Sequence, residues 1–77
     1  MKLVSKRGKR VLLELDYADF LNLHCLALTA QKVYAEKLKT GDLEAEERQQ
    51  LEAILATAQR VRTVVAADFA SKAMTSL

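Results

Sequence analysis

Proline is absent from this 77-residue chain, and glycine occurs only at Gly8 and Gly41. These two residue types are the usual interrupters of helices, so nothing inside segments 16–39 and 42–74 stops a helix. Cysteine occurs once, at Cys25, which excludes an intrachain disulfide. His24 is the only histidine, and this pair leaves too few nitrogen and sulfur ligands for a zinc site of the chain's own. Cys25 reads as a small, semi-apolar helix residue in a reducing, cytoplasmic setting. Tryptophan is missing, and two phenylalanines and two tyrosines stand against thirteen leucines and twelve alanines. No apolar run approaches the roughly 18–20 residues of a membrane span. The basic start leads only into the short run 11–13, which makes no secretory signal. The expectation is one domain with no metal, cofactor, membrane or small-molecule substrate.

Acid is missing where base is concentrated. Lys2, Lys6, Arg7, Lys9 and Arg10 put five positive charges in the first ten residues, while the remaining 67 hold seven bases and ten acids. The modest net charge of +2 therefore conceals a basic arm on a mildly acidic body.

The periodicity predicts a mainly α fold: an antiparallel two-helix hairpin preceded by a short N-terminal β-strand or β-hairpin. In segment 10–15, Val11, Leu13 and Leu15 alternate onto one face of a strand. Residues 1–9 form a basic arm or a partner strand turning near Gly8, where a two-residue turn would set Lys6 against Lys9 at a cost in like charge. Asp16 is placed to cap a first helix over 17–39, with Asp19 at its positive end and Lys37 and Lys39 at its negative end. Thr40-Gly41-Asp42 then supplies a glycine stop and an aspartate cap for a second helix over 43–74. Glu44, Glu46 and Glu47 crowd its first turns, where acids are favoured.

At about 100° per residue, Leu43, Leu51, Ile54, Leu55, Ala58, Val61, Val65 and Phe69 occupy roughly 140° of the second helix, an ordinary buried face. The first helix is apolar over roughly 240°, leaving a narrow wet strip at Asn22, Thr29, Lys32 and Glu36. One partner helix and a short ribbon cannot cover that arc, so self-association is expected, most simply as a dimeric four-helix bundle. Phe20, Leu23, Leu26, Ala30 and Val33 are the expected oligomer interface; a heterologous protein partner is the alternative cover. With the turn at Gly41, facing residues should sum to about 82 on helical spacing. Leu51 then meets Gln31, Ala58 meets His24, Val65 meets Tyr17, and Phe69 reaches the strand near Leu13, which would cap the far end of helix two. Ala53, Ala56, Ala67, Ala70 and Ala73 make a small-residue strip that reflects helix propensity or lets another helix approach.

Four polar residues fall in the core or at a seam: His24, Gln31, Arg62 and Asp19. His24 and Gln31 sit in the apolar arc, either hydrogen-bonded inside the monomer or fixing register at a dimer seam; a pH switch through His24 is a further reading. Arg62 interrupts the buried stripe of helix two and is expected to pair with Asp19 or Asp16. Alternatively it binds an anion beside Tyr17, or lays its stem over the leucines. No catalytic constellation accompanies these residues. Two functions remain: a small non-enzymatic, homo-oligomeric protein acting through protein–protein interaction as a regulator or inhibitor, or nucleic-acid binding through Lys2, Lys6, Arg7, Lys9 and Arg10.

Overall fold

The computed structural model describes residues 1–75, with side chains through Lys72; the Ala73 side chain of the small-residue strip lies outside the described residues. The chain is mainly helical. Strands β1 (Lys2–Arg7) and β2 (Arg10–Glu14) form a two-stranded antiparallel sheet, followed by helices α1 (Tyr17–Lys39) and α2 (Ala45–Thr75).

The strands meet through a two-residue turn, Gly8-Lys9. Gly8 has φ +56° and no described non-glycine residue has positive φ, which is the II′ pattern with glycine first. The expected opposition of Lys6 and Lys9 is therefore corrected by one position: Arg7 faces Arg10 and Lys6 faces Val11. Like charge still meets like charge, now between two arginines. A bulge at Val4 shifts the register between Leu3 and Ser5. Because cross-strand partners share a face, Lys2, Ser5, Arg7, Arg10, Leu12 and Glu14 lie on one side of the ribbon. Leu3, Lys6, Val11 and Leu13 lie on the other.

Helix α1 starts and stops where its punctuation lies. Asp16 holds the N-cap position with extended backbone, and its carbonyl accepts from the Phe20 amide at 3.0 Å, but its side chain makes no capping bond. At the other end the Thr40 hydroxyl donates to the Lys37 carbonyl at 2.7 Å, and Gly41 adopts φ +78° beyond it. Helix α2 begins two residues later than expected, at Ala45. The Arg48 amide bonds to the Glu44 carbonyl at 3.0 Å, so Glu44 takes the cap position and Asp42 stays in the loop. Four acids in six residues offer several possible starts, and the loop length decides among them.

That longer loop shifts the helix pairing by almost one turn. Tyr17 bonds to Asp68, three residues beyond the expected Val65, and Gln31 bonds to Gln59 and Arg62 instead of meeting Leu51. The core is small: among the described residues only Ala27, Leu51, Ala58 and Val65 are buried, and Val65 alone is below 2% exposed. The expected cap over the end of α2 does not form. Phe69 is 54% exposed, Leu13 is exposed as well, and neither strand approaches either helix. The hairpin is joined to the helices only through residues 15 and 16, and it projects from the pair.

Candidate interaction surface

The two broad sides of the helix pair differ in chemistry. On one side Leu23, Leu26 and Ala27 of α1 and Ile54, Thr57 and Val61 of α2 line an open groove of about 380 Å³. It continues into a recess of about 210 Å³ between Phe20, Leu23, Val61, Val64 and Val65. Leu26 is 66% exposed, Val64 58% and Val33 54%, whereas Phe20, Leu23 and Ala30 are half-buried. The structure thus brings Phe20, Leu23, Leu26, Ala30 and Val33 onto one continuous apolar face extended by α2. Val64 belongs to that face although it lies off the main apolar stripe of α2, which is why periodicity passed over it.

The opposite side carries a polar chain. Arg62 Nη1 donates to Gln31 Oε1 at 2.5 Å, Gln31 Nε2 donates to Gln59 Oε1 at 3.0 Å, and Gln59 Nε2 donates to Thr63 Oγ1 at 3.5 Å. His24 and Arg62 line the same recess of about 250 Å³, and neither His24 Nδ1 nor Arg62 Nε has a hydrogen-bond partner. Arg62 therefore does not take Asp19 or Asp16 as its partner. Helical spacing puts Asp19 on the apolar-groove side of α1 and Arg62 on the other side of α2, with the helices between them. Asp19, His24, Gln31 and Arg62 are all half-buried, and no polar side chain is fully buried among the described residues.

At the open end of the helix pair, the Tyr17 hydroxyl donates to Asp68 Oδ2 at 2.9 Å, and the Lys72 ammonium sits 3.5 Å from the Tyr17 ring centre. The Tyr17 oxygen, with a smaller attraction from Asp68, holds the Lys72 ammonium above the usual lysine range. This cluster ties the start of α1 to the end of α2. It was not legible in the sequence, because the pairing that creates it is set by the loop.

The third surface is the ribbon. All five bases of the arm are exposed, with Lys2, Arg7 and Arg10 on one face, Lys6 on the other and Lys9 in the turn. No described helix is long and apolar enough to cross a membrane. Comparison with protein families, with curated proteins and with solved structures found no match.

Proposed function

We propose that this chain is a small, non-enzymatic homodimeric protein that works through protein–protein interaction, its two helix pairs joined face to face as a four-helix bundle. One observation carries the reading. A compact chain of 8.6 kDa exposes about 4,700 Å², whereas this one exposes 6494 Å². The excess, about 1,800 Å², is shared between the projecting ribbon and the open face of the helix pair, and it is of the order that each subunit of an obligate dimer buries. The radius of gyration, 15.5 Å against about 11.5 Å for a compact chain of this length, fits a single layer of helices with the ribbon projecting from it. A core of four side chains among the described residues, three of them no larger than valine, gives a lone subunit little to hold it together. Sedimentation equilibrium tests it: the protein is expected at twice its 8.6 kDa chain mass, and Leu26→Asp, which puts a charge in the middle of the groove, is expected to shift it to monomer. A wild-type protein that stays monomeric and folded at micromolar concentration would remove the reading.

The projecting ribbon favours a second function alongside the first. A two-stranded ribbon is marginal in water, and this one adds an Arg7–Arg10 opposition that an anion would relieve. On the face they share with Lys2, which stands opposite Glu14, Arg7 and Arg10 beside the turn suit the phosphates of a nucleic acid, presented twice by a dimer. Replacing these three with glutamine is expected to abolish retention on heparin at moderate salt; unchanged retention excludes the nucleic-acid function.

A further inference from the structure

The apolar face has a built-in symmetry, and the geometry points to its occupant: helix α1 of a second copy, running antiparallel about a two-fold axis at the level of Leu28. This inference rests on the proposed dimer and specifies how that dimer is put together. Asp19, Leu23, Leu26, Ala30, Val33 and Lys37 follow one another at intervals of four, three, four, three and four residues. That alternation is the apolar seam of paired helices, closed at each end by a charge. It flanks the contact within the chain, where Ala27 is buried, and Leu23 and Leu26 border the groove toward α2.

The seam is complementary to its own reverse. With the axis level with Leu28, Asp19 of one copy meets Lys37 of the other, Leu23 meets Val33, and Leu26 meets Ala30. The most exposed leucine of α1 is thus set against the smallest residue of the stripe, where its bulk has room. Opposite charges close the seam at both ends, and the helix dipoles oppose each other. A parallel seam of the same residues has none of these properties. It sets Asp19 against Asp19 and Lys37 against Lys37, stacks Leu26 on Leu26, and leaves a gap between two alanines.

Charge reversal tests the arrangement in the intact chain. Asp19→Lys and Lys37→Asp each turn two attractions per dimer into two repulsions, and each is expected to weaken dimerisation about tenfold. The double variant Asp19→Lys/Lys37→Asp restores the pairing and is expected to return the dissociation constant to near the wild-type value. Within a single chain the two reversals both oppose the helix dipole, and Lys37 also lies near Glu47. A purely intrachain effect therefore makes the double variant the worst of the three, whereas the seam makes it better than either single change. Circular dichroism at high concentration checks that all three remain helical. A variant that fails this check is replaced by disulfide trapping in a Cys25→Ser background, where Leu26→Cys/Ala30→Cys is expected to lock the dimer covalently and no trapping overturns the seam. A dimer whose double variant is no tighter than the single ones means α1 packs elsewhere, for instance on α2 of the partner, and overturns the seam alone. A wild-type monomer overturns the dimer itself.

Discussion

Gln31 holds both ends of an amide between the helices: its oxygen accepts from Arg62 and its nitrogen donates to Gln59. A polar residue on an otherwise apolar arc stands out in the sequence, and so did Arg62. Their mutual bond did not, because it depends on the register of two helices and on which side of each helix a residue faces. Gln31→Leu removes the acceptor and leaves a half-buried guanidinium with fewer partners, so it is expected to cost about 1–2 kcal/mol in urea unfolding. Gln31→Glu keeps an acceptor and gives Arg62 a charge to meet, so it is expected to be neutral or stabilising. Equal stability of Gln31→Leu and wild type would show that the chain of amides holds nothing.

Elements were legible in proportion to how local their causes are. Helix α1 could be delimited to the residue because Thr40 and Gly41 act on the backbone within one turn of themselves, and because Asp16 takes the N-cap position even though its side chain makes no capping bond. Helix α2 has no comparable single signal: Asp42, Glu44, Glu46 and Glu47 all favour a helix start, so its beginning was misplaced by two residues. The ribbon followed from the alternation of Val11 and Leu13, yet whether Gly8 stands first or second in the turn could not be read, since either place suits a positive φ. The Val4 bulge left no signal at all. Of the candidate surface, the α1 residues were visible as an apolar arc too wide for one partner helix. The α2 residues beneath them depended on a pairing that the loop shifted by almost one turn. The expected cap of Phe69 by the strand failed for the same reason that long-range contacts are hard to read: two residues of linker do not fix the ribbon's direction, and the ribbon contacts neither helix.

At the scale of the whole molecule, extents of 48 × 33 × 16 Å describe a slab one helix thick. A slab of that kind has two broad sides and, among the described residues, only Ala27, Leu51, Ala58 and Val65 buried between its helices; a second layer would add burial. The proposed dimer supplies it, and it makes stability depend on concentration, because unfolding then releases two chains from one particle. Each tenfold rise in protein concentration adds about 1.4 kcal/mol to the stability of the dimer. For a dimer of two 77-residue chains, the unfolding entropy near the midpoint is about 0.3 kcal/mol/K. The melting temperature is therefore expected to rise about 4 °C per tenfold in concentration, readable by circular dichroism between micromolar and hundred-micromolar protein. Leu26→Asp is expected to flatten that dependence as well as lower the midpoint. A wild-type midpoint that does not move with concentration means that the slab is stable as a single layer, and that its exposed leucines are sustained by the chain alone.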